Sequence, residues 1–88
     1  MKQIVQTKQF AKHYGRRIAR DPKLVQRFDK RLRLFVRGER GWPLYDHPLK
    51  GPQLGQRAFW IKGDLRVVYK ETGDAYIFLD VGSHNQVY

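Results

Sequence analysis

The chain has 88 residues, no cysteine and a formal charge of +10, with a pI near 10.3. That length makes one domain around a single modest core, and the missing thiols exclude both a disulfide framework and a thiolate metal site, pointing to the cytoplasm. A chain this basic repels itself unless it meets a polyanion, nucleic acid before an anionic membrane; no apolar run nears the roughly 18 residues of a span, and the first ten residues, MKQIVQTKQF, lack a signal peptide's apolar region.

Residues 2–6 alternate like a short strand that adds to a sheet edge. From Thr7 the period lengthens: Phe10, Ala11, Tyr14 and Ile18 fall within an arc of about 100°, which predicts an amphipathic helix capped by Thr7. Gly15 inside it, at a cost on the order of 1 kcal/mol against Ala, predicts a close crossing with a neighbouring helix. Asp21-Pro22 opens a second helix, because Asp accepts backbone N–H bonds at the cap and Pro lacks the N–H that the first turn leaves unused. Its Leu24, Val25, Phe28, Leu32, Phe35 and Val36 share one arc of about 120°, and it ends near Arg37 with Gly38 and Gly41 closing it off. The basic run of Arg16, Arg17, Arg20, Lys23, Arg27, Lys30, Arg31 and Arg33 fits two readings: a solvated helix surface, or a patch for phosphates or an acidic partner.

Residues 39–56 hold three of the chain's four prolines, which makes them an ordered loop, and loops of that length in compact domains are often functional. His47 and Lys50 are its ionisable groups of interest. Residues 57–88 read as three strand-like segments, RAFWIKGD, LRVVYKETGD and AYIFLDVGSHNQVY. Their turns at Gly63 and Gly73 are expected to use positive φ.

Period-two alternation assigns Phe59, Ile61, Leu65, Val67, Tyr69, Ile77, Leu79 and Val81 to a core face. The opposite face carries Trp60, Lys62, Arg66, Val68, Lys70, Tyr76, Phe78 and Asp80. The apolar stripes of the helices have only the core face to cover. The predicted fold is therefore an α/β (α+β) two-layer sandwich in the order β-α-α-β-β-β, a helical hairpin on one face of a mainly antiparallel sheet.

The uncovered face is either wet or functional. Asp64 after Gly63 also reads as an ordinary turn residue, and Arg66 as a cross-strand ion-pair partner for Asp80. Tyr76 and Phe78 read as sheet packing, Tyr14 and Tyr69 as core, and His13 as surface. His47, Asp64 and His84 lack the spacing of a metal site, so no metal or other cofactor is expected.

His47-Pro48-Leu49-Lys50-Gly51, then Gly55 and Arg57, then Gly63-Asp64-Leu65-Arg66-Val67-Val68-Tyr69, and finally Val81-Gly82-Ser83-His84-Asn85-Gln86-Val87-Tyr88 form an ordered series. It resembles the RelE/ParE toxin superfamily of bacterial type II toxin–antitoxin modules, most of all its YafQ branch, over nearly the whole chain.

The resemblance implies a ribosome-dependent mRNA endonuclease, held in check by an acidic antitoxin protein that wraps it. Cleavage in that family needs no metal: the RNA 2′-hydroxyl attacks the adjacent phosphate and leaves a cyclic phosphate and a 5′-hydroxyl. This requires a base, an acid and cations around the phosphorane.

By position, the resemblance makes His84 the general acid, Asp64 a base or the group that orients one, His47 a further active-site histidine and Arg66 the phosphorane-stabilising arginine. It gives Lys50, Arg57 and Lys62 to phosphates and Tyr88 to stacking on a base or orienting the reacting nucleotide. Trp60 is a departure. It stands where YafQ-like members have a histidine and transfers no proton; it would stack on a base or narrow the site.

Two other functions stay open: a non-catalytic toxin of the same fold acting on DNA gyrase, as ParE-like members do, or a basic RNA-binding module without chemistry. His84, His47 and Lys50 argue against the first, and Trp60 is the best argument for the second.

Overall fold

The computed structural model describes residues 2–88. Strand β1 (Gln3–Gln6) leads into helices α1 (Lys8–Arg17) and α2 (Pro22–Val36). A two-residue strand β2 (His47–Pro48) and a 3-10 turn at Gly51–Gln53 follow. The chain ends with β3 (Arg57–Lys62), β4 (Leu65–Glu71), β5 (Ala75–Gly82) and a short helix α3 (His84–Val87). The sheet runs β1-β5-β4-β3-β2, with β1 parallel to β5 and every other pair antiparallel.

The helix caps are the ones that the sequence predicts. Thr7 Oγ1 accepts from the Phe10 amide at 3.1 Å and donates to the Phe78 carbonyl at 2.9 Å, so the cap of α1 is also stitched to β5. Asp21 Oδ1 accepts from the Lys23 amide at 2.9 Å. Gly38, at φ +95°, turns the chain out of α2. A Cβ at Gly15 would meet nothing within 4 Å, so no helix crosses there. The crowded glycine is Gly82, where a Cβ would stand 2.6 Å from Gln86 Oε1 and 2.7 Å from an Arg17 guanidinium nitrogen.

The hairpin buries the expected face of β3 and β4. Phe59, Ile61, Val67 and Tyr69 join Phe10, Ile18, Phe28 and Phe35 in the main core. In β5 the assignment of faces is wrong over residues 76–79. Phe78 is buried in the main core and Tyr76 packs against it, whereas Leu79 joins a second cluster on the other face.

The cause is a bulge: Val68 pairs with Asp80 but Tyr69 pairs with Phe78, leaving Leu79 as an extra residue. One inserted residue reverses the alternation, which Val81 then resumes on the core side. The second hairpin turn also departs from expectation, because Gly73 is not among the glycines at positive φ. The Thr72 hydroxyl organises that turn instead, accepting from the amides of Asp74 and Ala75.

The second face is partly covered. Leu49 from the loop and Val87 from α3 pack on Ala58, Val68 and Leu79. The terminal segment read as strand ends at Gly82 and becomes a helix, because Ser83 and Gln86 form a reciprocal capping box. Beyond the reach of β1, the free edge of β5 is closed by α1: Gln9 Nε2 donates to the Leu79 carbonyl at 3.2 Å and Arg17 to that of Val81 at 2.8 Å. Asp80 faces His13 at 2.6 Å and Arg17 at 3.5 Å and so is not the partner of Arg66; His13 is half-buried rather than a plain surface residue. Among the described residues, no helix is long and apolar enough to cross a membrane.

Phe35 is the keystone of the main core. Its ring lies 4.7 Å from Phe59, 4.9 Å from Tyr69 and 4.8 Å from Tyr76, stacked on the first and edge-to-face with the others. Phe35→Ala is expected to cost about 3–5 kcal/mol in a denaturant titration, the range for emptying a fully packed aromatic position.

Candidate active site

The loop between α2 and β3 is fastened by one carboxylate. The side chain of Asp46 is wholly buried; its Oδ1 accepts from Arg57 Nε at 2.6 Å and its Oδ2 from the Tyr69 hydroxyl at 2.5 Å. Burial raises the Tyr69 phenol well above its ordinary pKa, and the neighbouring carboxylate raises it further. The hydrogen bond to Asp46 raises the Arg57 guanidinium, against an opposing push from burial. Asp46 therefore ties the loop to β3 and β4 immediately before His47.

His47 opens β2 opposite Ala58. Its Nδ1 lies 2.8 Å from the Tyr45 carbonyl, which can only accept, so Nδ1 carries the proton and Nε2 is left free. Trp60, on β3, donates its indole N–H to the Gly63 carbonyl at 2.6 Å and stands opposite Arg66 on β4. Tyr45, His47, Phe59, Trp60 and Arg66 line a cavity of about 110 Å³.

The hairpin turn and the terminal helix meet at Arg66. Asp64 Oδ1 accepts from Arg66 NH2 at 3.0 Å, while its Oδ2 accepts from the His84 backbone amide at 3.2 Å. The Arg66 guanidinium carbon sits 5.4 Å from the centre of the Tyr88 ring, and that ring meets His84 edge-to-face at 4.6 Å. A helical turn brings residues 84 and 88 together. Asp64 bridges two elements, with both oxygens engaged, and fixes the arginine and the histidine-bearing helix relative to each other.

Asp64, Arg66, His84 and Tyr88 thus form one contact chain, and His47 and Trp60 share a cavity with its central arginine. Three of the sequence candidates lie outside this cluster. Arg57 is engaged by the buried Asp46, and Lys50 and Lys62 are exposed, without hydrogen bonds or ion pairs to the cluster among the described residues. Such an array suits an anionic, partly planar ligand: a guanidinium at its centre, with two imidazoles and aromatic rings at hand.

Sequence reasoning missed Asp46, Tyr45 and Arg31. Arg31, from the basic run on α2, places its guanidinium 5.1 Å from the centre of the Trp60 ring, bringing one cation of the hairpin to the edge of the site. Burial and neighbouring Arg27 lower its pKa. The signal for Asp46 lay in the sequence, since an acid directly before His47 in a basic chain has cations to find; its partners did not. Asp46→Ala is expected to destabilise the fold by about 1–3 kcal/mol for each polar group it orphans, and to lower thermal resistance even though it removes no apolar packing.

Solved structures share this architecture. YafQ from E. coli superposes with a TM-score of 0.82 at 21% identity, covering 100% of this chain and 99% of that one. The E. coli DinJ–YafQ complex gives 0.81 at 22% identity over 100% and 99%. A metal-bound toxin from Helicobacter pylori gives 0.83 at 24% identity, with both chains covered completely. Among the described residues of this chain, no three His, Asp or Glu side chains are grouped to hold a metal ion, so its own donor set does not fit one. No relative is found among curated protein sequences. The model of the YafQ family, bacterial toxins of type II toxin-antitoxin systems, matches residues 2–88. With that match across the described chain and a RelE/ParE-like fold beneath it, the protein belongs to the YafQ toxin family.

Proposed function

We propose that this toxin is a ribosome-dependent mRNA endonuclease that cleaves without a metal and so arrests translation in the cytoplasm. The observation that carries the reading is the position of Arg66, held between the Asp64 carboxylate and the Tyr88 ring, with His84 packed on that same ring and His47 lining the cavity that Arg66 also lines. A pentacoordinate phosphorane gathers negative charge on its non-bridging oxygens, and a fixed guanidinium stabilises that charge more than it stabilises the diester.

In the proposed reaction the 2′-oxygen bonds to phosphorus as the bond to the 5′-oxygen breaks. The 2′ proton leaves to the free Nε2 of His47, and the departing 5′-oxygen takes a proton from His84. The products are a 2′,3′-cyclic phosphate and a 5′-hydroxyl. Asp64 positions Arg66 and the start of α3 and is not the base. Lys50 and Lys62, exposed beside the site, take flanking phosphates; Arg57 acts chiefly through Asp46. Trp60 and Tyr88 offer ring faces to bases.

The +10 charge suits both the mRNA and an acidic antitoxin. A relative was crystallised as the DinJ–YafQ toxin–antitoxin complex, which supports a cognate antitoxin as the inhibitor here. Codon-phased 5′ ends in translated regions after induction are the signature that separates this reading from a gyrase-directed toxin and from a passive RNA binder.

His84→Ala is expected to abolish those cuts and relieve growth arrest with the unfolding midpoint unchanged; cutting at the normal rate by that variant removes His84 from the chemistry. Arg66→Ala is expected to slow single-turnover cleavage by roughly 10² or more, the loss of one transition-state donor. A negligible change confines Arg66 to structure.

A further inference from the structure

Tyr45 is an anomaly that packing does not explain. Its backbone sits at φ +47°, the left-handed region that bulky side chains rarely enter, and its side chain is left exposed. Among the described residues the ring's one aromatic neighbour is Trp60, at 6.1 Å and 65°. The turn explains the left-handed backbone, because the Tyr45 amide closes it on the Gly41 carbonyl at 3.1 Å, but it does not explain an exposed aromatic ring where glycine or asparagine would sit without strain, and such outliers gather at ligand sites.

The ring of Trp60 is fixed on two sides. Its N–H is tied to Gly63, and Arg31 stands over its face, with an Nε that is buried and finds no hydrogen-bond partner among the described residues. A buried donor left unsatisfied is costly, and here it supports an indole that does no packing in the main core. Tyr45 and Trp60 flank the cavity of about 110 Å³ that Arg66 and His47 also line. That is far below the roughly 300–1,000 Å³ of sites that enclose a drug-sized ligand, and it suits one planar ring entering edge-first.

The geometry points to Tyr45 and Trp60 as a nucleobase clamp made of two walls set at an angle: a base next to the scissile phosphate enters the cavity they line, stacks on one ring and meets the other at its edge, while its phosphate meets Arg66. This rests on the nuclease reading and adds a substrate-positioning role for Tyr45 and for Arg31 behind Trp60. Aromatic stacking tolerates every base but rewards the larger ring surface, so a purine is favoured in this position.

Trp42→Phe leaves Trp60 as the sole tryptophan and makes the clamp visible. Uncleavable 2′-O-methyl trinucleotides, one with purines, one with pyrimidines and one abasic at the centre, are titrated against that protein by Trp60 emission and by anisotropy of the labelled oligonucleotide. The purine probe is expected to quench Trp60 most. Tyr45→Ala is expected to weaken its binding by about 5- to 150-fold, Tyr45→Phe to retain it, and the abasic probe to erase the difference.

Equal affinity for Tyr45→Ala and its parent overturns the clamp, as do an equal loss on the abasic probe and an unquenched Trp60 while anisotropy reports binding. Circular dichroism of each variant confirms folding. The same proteins are assayed for single-turnover cutting of ribosome-bound mRNA. Cutting by Tyr45→Ala at the parental rate and base preference removes the clamp and leaves the nuclease. A parent that does not cut removes the nuclease reading, whatever the emission shows.

Discussion

A single buried carboxylate fastens the loop that leads into the candidate site to the sheet and its core. Asp46 has no exposed side-chain surface, a state tolerated only where partners meet the charge, and it is met by a guanidinium from β3 and a phenol from β4. The phenol belongs to Tyr69, whose ring is packed edge-to-face on Phe35 at the middle of the core. One residue further along the chain stands His47. The interaction that anchors the loop to the aromatic core therefore also sets where the first imidazole of the candidate site begins.

The helical hairpin uses up one face of the sheet, and most of the candidate site gathers on the other. That second face is not simply open. Leu49 and Val87 cover its middle by packing on Ala58, Val68 and Leu79, and Arg66 precedes Val68 by two residues on the same strand. The terminal helix serves twice: Val87 packs downward while Tyr88 lies against the arginine and His84, a turn before it, packs on the Tyr88 ring. Gly82 makes the sharp arrival of that helix possible, because Arg17 and Gln86 fill the space that a side chain would occupy.

Charge is distributed to the same end. Of the eight acidic residues, Asp46, Asp64 and Asp80 each hold an arginine in place, on three different elements around the sheet. These pairs orient their cations without neutralising the molecule, whose remaining lysines and arginines keep a field suited to a polyanion. Only the Asp64–Arg66 pair lies at the site. The ring of Trp60, cushioned by Arg31, links it to the otherwise solvated basic surface of the hairpin.

Much of this was legible in the residues themselves. Thr7, Asp21-Pro22 and Gly38 mark the helix ends because capping is chemistry between near neighbours, and the stripe from Leu24 to Phe35 needs only a helical period to show which side is buried. Asp64, Arg66, His84 and Tyr88 stood out by their place in an ordered series of motifs. What needed the tertiary structure were matters of register and partnership between distant residues. The bulge at Leu79 reverses the faces of Tyr76 and Phe78, and no local alternation announces an extra residue that pairing alone creates. Arg57 and Asp80 looked free to serve phosphates or Arg66, but proximity in the fold gave them to Asp46 and to His13 and Arg17. Local chemistry decides how each segment is shaped, whereas which ionised group faces which is decided by packing segments from opposite ends of the chain against one another.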